Sequence, residues 1–266
     1  MTAQLANSAA RPVGVVPPRS DRLFRLFRWY AARYCAKHLH AFRLLRTGPP
    51  PQLNGPAIFV VNHPSWWDPL LMYRLTALFP KRVDWGVIDA AALKQYQFLG
   101  RAGLFGVEQG TPRGAATFLR TARAILQDDR ASLWVNAQGR FTDVRVRPIV
   151  LRGGVGRLAS EMPHVAVVPV AMELTFWNQR TPEALAAFGD IVAPGQPADW
   201  SADDWTARIG RALERTQDAL ATASMTRDAG LFDVLVRGRS GVGGVYDIWR
   251  RCTSWARGRS FRAEHH

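Results

Sequence analysis

A short apolar run that leads into a polar loop lies at residues 57–69: Ala57-Ile58-Phe59-Val60-Val61-Asn62-His63-Pro64-Ser65-Trp66-Trp67-Asp68-Pro69. The five apolar residues follow Gly55-Pro56 and predict a short buried strand. His63 and Asp68 come just past the strand end, where loops commonly carry catalytic groups. If the Asp68 carboxylate binds one imidazole nitrogen, the other nitrogen can take a proton from a hydroxyl. The two residues would act as the base and the orienting acid do in a catalytic triad. No protein nucleophile accompanies them, so the nucleophile would be a substrate alcohol.

The same spacing also fits a loop histidine beside a helix-capping aspartate with no catalytic role. The surrounding residues favour catalysis, because residues 62–68 resemble the first block of the glycerolipid (1-acyl-glycerol-3-phosphate-type) acyltransferase family: Asn-His, four residues, Asp. The resemblance implies a lysophospholipid acyltransferase-like enzyme. It makes His63 the general base, Asp68 its orienting partner and Asn62 a substrate-site neighbour that shapes the loop.

The second block of that family resembles Gly-x-x-Phe-(Ile/Val)-Asp-Arg, whose arginine binds the acceptor's phosphate. Here residues 103–109 read Gly-Leu-Phe-Gly-Val-Glu-Gln, so Gln109 replaces the arginine. A glutamine cannot neutralise a phosphate. Either Arg113 takes this role or the acceptor is not a simple phosphomonoester. Thr111 and Pro112 predict a helix start whose amide groups, with Arg113 in the first turn, would bind an anion. The alternative is that Arg113 is an ordinary surface arginine.

The third block resembles Phe-Pro-Glu-Gly-Thr-Arg and is partly lost at residues 136–141, Asn-Ala-Gln-Gly-Arg-Phe. Gln138 stands where glutamate is usual, Gly139 is retained, and Phe141 stands at the arginine position. The resemblance assigns Gln138, Gly139 and Arg140 to substrate binding, with amide groups near Gly139 as candidate oxyanion donors. Further arginines follow at Arg145, Arg147 and Arg152. They would either bind substrate phosphates or form a solvated basic rim.

The fourth block is an apolar run, and residues 165–174 resemble it with Val-Pro-Val-Ala at their centre. Pro169 within this run predicts an edge strand or a bulge, because proline cannot donate to a ladder. The four blocks follow one another in the family's order from Asn62 to Met172.

Composition limits the classes of protein and partner. The chain has 266 residues, 47% of them hydrophobic, which is enough for one large domain. Its 35 Lys+Arg against 21 Asp+Glu give a formal charge of +14, so an anionic partner is expected. Charge alone suggests nucleic acid, and no recognition motif supports it. Cys35 and Cys252 lie far apart, which predicts a reducing compartment and no disulfide scaffold.

Membrane association is expected to be peripheral, because no apolar run approaches the roughly 18 residues of a spanning helix and no secretory signal is recognisable. A helical pattern from Asp21 to Arg46 combines aromatic residues with many arginines, as does the segment Leu231–Arg262. Such segments suit a lipid headgroup interface, with Phe24, Phe27, Trp249 and Trp255 as the inserted side chains. The alternative is that the helix packs on the domain with a solvated basic face. The expected location is cytoplasmic, on the inner face of the membrane.

The predicted organisation has four parts: a disordered arm at 1–20, a basic amphipathic helix at 21–47, an acyltransferase domain at 52–225 and a basic aromatic segment at 226–266. The predicted fold is a single α/β domain, glycerol-3-phosphate acyltransferase-like, with a mixed sheet flanked by helices and an N-terminal amphipathic helix.

The expected reaction is O-acyl transfer from an acyl thioester, either acyl-CoA or acyl-carrier protein, to a hydroxyl of a lysophospholipid or other lipid-like acceptor. No metal or cofactor is expected, since the sequence has no ligand cluster at metal spacing. Two alternatives stay open. One is a non-catalytic peripheral lipid-binding protein, and the other is acylation of a glycosylated isoprenoid-type lipid.

Overall fold

A computed structural model describes residues 15–192 and 200–238 of the chain. The strands are β1 (Ala41–Leu45), β2 (Ala57–Val61), β3 (Val83–Asp89), β4 (Leu104–Val107), β5 (Ala131–Asn136), β6 (Ala166–Thr175), β7 (Glu183–Phe188) and β8 (Phe232–Arg237). The helices are α1 (Asp21–His38), α2 (Asp68–Leu75), α3 (Ala90–Gln95), α4 (Phe98–Arg101), α5 (Pro112–Ile125), α6 (Gly154–Glu161) and α7 (Ala202–Thr226), with 3-10 turns at Thr76–Leu78 and Ala229–Leu231. Among these residues one eight-stranded sheet has the order β4-β3-β5-β2-β6-β7-β1-β8.

The predicted strand at residues 57–61 is confirmed as β2, which lies near the middle of the sheet. All five of its residues are buried, as a strand with both faces covered requires. β2 runs parallel to β5 on one side and to β6 on the other, and Val61 pairs with Asn136 and with Val170. The loops that leave β2 and β5 therefore emerge side by side at one edge of the sheet.

Helices cover both faces of the sheet, which confirms a single α/β domain with a mixed sheet flanked by helices. On one face, Cys35 of α1 and Leu71 of α2 pack with Phe59 and Trp134. On the other face, α5, α6 and α7 pack over Ile58 and Leu133. The predicted helix start at Thr111 is also confirmed, since Thr111 caps α5; at the start of α7, Ser201 and Asp204 form a capping box.

The prediction of one helix from Asp21 to Arg46 is wrong at its carboxyl end. α1 ends at His38, and Ala41–Leu45 form β1, a fully buried strand between β7 and β8. The spacing of Phe42 and Leu45 fits both a helix and a strand. The strand forms because β1 completes the sheet and gains hydrogen-bonded partners on both sides, which outweighs local helix propensity.

The prediction of an edge strand at Pro169 is wrong, whereas the alternative of a bulge agrees with the pairing, because Val170 pairs with Phe188 but Val167 pairs with Val192, a register shift of one residue beside Pro169. Pro169 lies inside β6, an interior strand between β2 and β7. Its carbonyl still accepts a hydrogen bond from the Gly189 amide at 2.9 Å. Pro169 has no N–H, so the hydrogen bond that it would donate back to Gly189 is the one lost at this position. The interior strand β6 therefore tolerates the proline.

The chain ends are only partly described. Of the predicted arm, residues 1–14 lie outside the described part, and 15–20 contain no helix or strand. Of the predicted carboxyl-terminal segment, residues 239–266 lie outside it, including Trp249 and Trp255, and residues 232–237 form β8. Since β1 and β8 both belong to the sheet, the sheet extends beyond the predicted domain at 52–225. Within residues 15–192 and 200–238, no helix is both long and apolar enough to cross a membrane.

Asp84 is a buried acid at the start of β3, on the face covered by α1 and α2. Its carboxylate accepts a hydrogen bond from the Trp134 indole N–H at 2.9 Å. Burial raises the pKa of Asp84 from 3.8 to about 6, although that bond and the charge of Arg19 oppose the rise. The folded state therefore holds the proton more tightly than the unfolded state. The resulting stabilisation is complete below pH 3.8 and is lost as the pH rises through about 6.

We expect Asp84→Asn to stabilise the protein at pH 8 and to have a smaller effect at pH 4. Asparagine stays neutral and keeps an oxygen for Trp134, so the wild type alone carries the penalty for a buried charge. One pKa unit corresponds to about 1.4 kcal/mol, so the gain between the two pH values should reach at most about 3 kcal/mol. Urea unfolding at both pH values measures it, with exposed Asp129→Asn as the control. A gain independent of pH would contradict this account.

Candidate active site

His63 and Asp68 meet at the carboxyl end of β2. The His63 Nδ1 lies 2.6 Å from the Asp68 Oδ2. Asp68 is the first residue of α2 and has no exposed surface, whereas the His63 side chain is 22% exposed. A buried carboxylate accepts hydrogen bonds, so Nδ1 carries the ring proton and the Nε2 lone pair faces away from Asp68. No side-chain hydrogen bond caps α2 at Trp67, and the Asp68 carboxyl contacts His63 together with the amide and hydroxyl of Ser65.

Burial raises the pKa of the Asp68 carboxyl, and its hydrogen bonds from His63 and Ser65 act against the rise. The Ser65 amide and hydroxyl each donate to this carboxyl group over 3.3 Å. A carboxylate with so few partners in a buried site is stabilised when positive charge develops on the neighbouring imidazole.

The backbone of His63 is held from both sides by the segment that follows β5. The His63 amide donates to the Gln138 side-chain oxygen at 2.8 Å, and the Thr142 amide donates to the His63 carbonyl at 2.9 Å. The Asn136 side chain also donates to the Asn62 carbonyl at 3.0 Å. The sequence predicts that Gln138 binds substrate, whereas in the structure its side-chain oxygen faces the backbone amide of His63.

Asn62 was also predicted to lie at the substrate site, and the structure does not place it there. It is 1% exposed. Its side-chain oxygen accepts from the Met172 amide at 2.8 Å, and its side-chain nitrogen donates to the Met172 carbonyl at 2.9 Å. Both ends of the side chain are thus used to join the end of β2 to β6, which leaves Asn62 as a structural anchor of the loop.

Gly139 forms a tight turn beside the site. Its φ is +66°, which favours glycine, and its amide donates to the Asn136 carbonyl at 3.0 Å. This amide is therefore not the oxyanion donor suggested by the sequence. A Cβ at Gly139 would lie 2.1 Å from the Arg152 Nε, so the Arg152 side chain packs on the turn. Arg140, the next residue, is exposed.

The other predicted cations do not converge on His63. Arg113 is exposed in the first turn of α5, which follows β4, three strands away from β2. At a strand spacing of about 4.8 Å this is a lateral separation of roughly 14 Å. Arg145 pairs with Asp143, and Arg147 pairs with Asp218. Of the two, Arg145 is largely exposed, whereas the Arg147 side chain is 28% exposed and also donates to the Val144 and Val146 carbonyls.

Sequence reasoning did not place Phe141 against the base. Its ring centroid lies 4.4 Å from that of His63, and Phe141 is 61% exposed. The sequence showed only that an aromatic residue replaces the arginine of the third block. The structure shows that this ring forms an apolar wall beside the imidazole.

An exposed apolar surface, here called the aromatic rim, surrounds the loop on the α1 side. Its members are Leu26, Trp29, Tyr30, Trp66, Tyr96 and Phe98. Contacts between aromatic rings link its members. The ring centroid of Tyr34 lies 5.8 Å from that of Tyr30 and 6.3 Å from that of Trp66, and Phe98 stacks on Phe27 with the centroids 5.8 Å apart. Arginine and lysine side chains are exposed on the same face of α1: Arg22, Arg25, Arg33 and Lys37.

The predicted insertion of Phe24 and Phe27 is not supported by their positions. Phe24 is 6% exposed, and both rings pack on Tyr73 of α2. The apolar stripe that sequence periodicity detected is thus the packed face of α1. The exposed side chains Leu26, Trp29 and Tyr30 lie among the basic residues instead.

No group of three or more His, Cys, Asp or Glu residues in the described part of the chain is placed to hold a metal ion. These residues therefore offer no candidate ligand cluster for a metal ion.

Comparisons with known proteins agree with this fold. A family model described as Acyltransferase matches residues 36–173, a range that contains His63, Asp68 and Gln138. The crystal structure of the 1-acyl-sn-glycerophosphate (LPA) acyltransferase PlsC from Thermotoga maritima is similar, with a TM-score of 0.52 and 14% sequence identity. The match covers 75% of this chain and 79% of that one, and at this identity it shows the fold. No curated protein gives a significant sequence match.

Replacement of Asn62 tests its structural role. Asn62→Leu would leave the buried amide and carbonyl of Met172 without partners, each at a cost of about 1–3 kcal/mol. We expect urea unfolding to show a loss of about 2–5 kcal/mol. Asn178→Leu, a change at an asparagine outside this junction, should have a much smaller effect. An unchanged stability with a raised KM would instead return Asn62 to the substrate site.

Proposed function

This chain belongs to the acyltransferase family, and we propose that it transfers an acyl group from a thioester to a lipid hydroxyl with His63 as the general base. The observation that supports the proposal most directly is the 2.6 Å contact between the His63 Nδ1 and the buried Asp68 carboxyl. This contact leaves Nε2 on the exposed side of the ring to receive a proton. The donor is acyl-CoA or acyl-carrier protein.

In the proposed reaction, Nε2 of His63 takes the proton of the acceptor hydroxyl as its oxygen attacks the thioester carbonyl. Asp68 stabilises the resulting imidazolium without itself taking the proton. The tetrahedral oxyanion then collapses, the carbon–sulfur bond breaks, and the imidazolium returns the proton to the leaving thiolate. The products are an ester and a free thiol, and no acyl-enzyme is formed.

We propose an acceptor that carries no phosphomonoester next to the reacting hydroxyl. Phe141 places an apolar ring beside His63, and Arg113 starts a helix three strands away from β2. A lysophospholipid with a diester headgroup and a glycosylated isoprenoid-type lipid both fit this description. A purely lipid-binding role would give no reason for a buried aspartate to be held against an accessible histidine.

We also propose that the aromatic rim docks on an anionic membrane, at its cytoplasmic face. Trp66 belongs to the rim and lies only three residues from His63. An acceptor held in the bilayer surface would thus reach the base without leaving the membrane. The exposed basic residues of α1 and the formal charge of +14 complement anionic headgroups.

Mutation of the dyad tests the mechanism. His63→Ala should lower kcat by roughly 10²–10⁴ because the base is lost, and Asp68→Asn should be nearly as damaging because the ring tautomer is no longer fixed. His164→Ala, at an exposed histidine outside the site, should retain full activity. Acyl transfer by purified protein with matched circular dichroism spectra measures the effect. Near-normal turnover in His63→Ala would remove the mechanism.

Sedimentation with vesicles tests the membrane proposal. Wild-type protein should bind vesicles that contain anionic lipid, and salt should reverse this in part, since each basic residue near the surface contributes about 1 kcal/mol. A quadruple alanine variant at Leu26, Trp29, Tyr30 and Trp66 should be released but should still acylate a soluble short-chain acceptor.

Alanine replacements of Val150 and Met225, two exposed apolar residues outside the rim, serve as the control and should leave binding unchanged. If the wild-type protein ignores anionic vesicles at low salt, or if the rim variant binds as well as wild type, the aromatic rim is not a membrane contact.

A further inference from the structure

The backbone amide of His63 donates its hydrogen bond to the side-chain oxygen of Gln138. We propose that Gln138 is a positioning residue, which fixes the base by accepting this hydrogen bond and does not contact either substrate. The inference rests on the proposed function of His63 and adds a residue through which that function is controlled.

The orientation of the Gln138 amide follows from the chemistry of its partner. A backbone N–H can only donate, so the side-chain oxygen of Gln138 must face it and the NH₂ group must point away. At 2.8 Å the contact has the length of a good N–H···O bond. Gln138 is 9% exposed, and a largely buried bond of this kind is not readily exchanged for water.

The turn that carries Gln138 is fixed before any substrate binds. The Ala137 carbonyl accepts from the Arg152 amide at 2.8 Å, and the Gly139 amide donates to the Asn136 carbonyl at 3.0 Å. The left-handed conformation of Gly139 and the Arg152 side chain packed on it hold the turn further. Gln138 therefore extends from a rigid support toward the loop of the neighbouring strand.

Three hydrogen bonds then determine where the imidazole lies. Asp68 holds Nδ1, Thr142 holds the carbonyl and Gln138 holds the amide of the same residue. Pro64 follows His63 and has no amide of its own, so no hydrogen bond from the next residue can replace the one to Gln138. Without Gln138 the backbone could rotate about its remaining contacts and displace Nε2. A displacement of about 1 Å can cost roughly 10²-fold in rate.

Position 138 requires an acceptor oxygen that is carried on the third carbon of the side chain. It does not require the NH₂ group of the amide. Glutamate keeps both the reach and the oxygen, whereas leucine keeps the bulk and loses the oxygen. The pair Gln138→Glu and Gln138→Leu therefore separates the hydrogen bond from packing. Gln217→Leu is the matched control, because Gln217 is 6% exposed and donates to the Val144 carbonyl in the same β5–α6 segment.

Steady-state kinetics with both substrates gives the first test. Gln138→Leu should lower kcat by about 10- to 100-fold with the KM values for donor and acceptor within about 2-fold of wild type. Gln138→Glu should retain kcat within about 5-fold, and Gln217→Leu should match wild type. A raised KM at unchanged kcat in Gln138→Leu would show substrate contact. An equal loss in Gln217→Leu would show general loosening of the segment. Either result overturns the proposal.

Hydrogen exchange of the His63 amide gives a second test that needs no activity. In Gln138→Leu this amide should exchange at least about 10-fold faster than in wild type, with Gln138→Glu close to wild type. Unchanged exchange in Gln138→Leu would refute the hydrogen bond and with it the proposal. If wild-type protein transfers no acyl group while the exchange result holds, the proposed function fails and the contact itself stands.

Discussion

The parallel pairing of β2 with β5 and β6 is the constraint on which the rest of the site depends. Val61 pairs with Asn136 on one side and with Val170 on the other, so β2 and β5 end level with each other while β6 continues past them to Thr175. The hydrogen bonds that shape the site start from this alignment. Asn62 reaches Met172 across one junction, and Gln138 reaches His63 across the other. A shift of register in either pair would separate the base from its supports.

This alignment explains why the polar groups of the site divide into two kinds. Asn62, Gln138 and Asp68 are buried, and their side chains hold the loop or the ring. His63 is partly exposed, its Nδ1 contacts Asp68, and the Phe141 ring lies 4.4 Å from its imidazole. The proposed general base is thus the partly exposed member of this group, and the proposed membrane contact lies beside it.

Local sequence pattern was sufficient for β2, for the His63–Asp68 pair and for the helix start at Thr111, because each depends on residues within a few positions. The supports of the loop could not be predicted, since Asn62 and Met172 are 110 residues apart and His63 and Gln138 are 75 apart. The strand at Ala41–Leu45 was taken for helix because its two neighbours in the sheet come from distant parts of the chain. The three- and four-residue spacing of apolar residues predicts an apolar face on α1, but it does not show that this face packs on α2.

The central claim is that the loop histidine transfers an acyl group to a lipid. Mass spectrometry of total lipids from cells that carry the wild-type chain or the His63→Ala chain tests it without any choice of donor or acceptor. The account predicts an acylated lipid that accumulates with the wild-type chain, together with loss of its hydroxyl precursor, and neither change with His63→Ala at equal protein level. Identical lipid profiles for the two chains would contradict it.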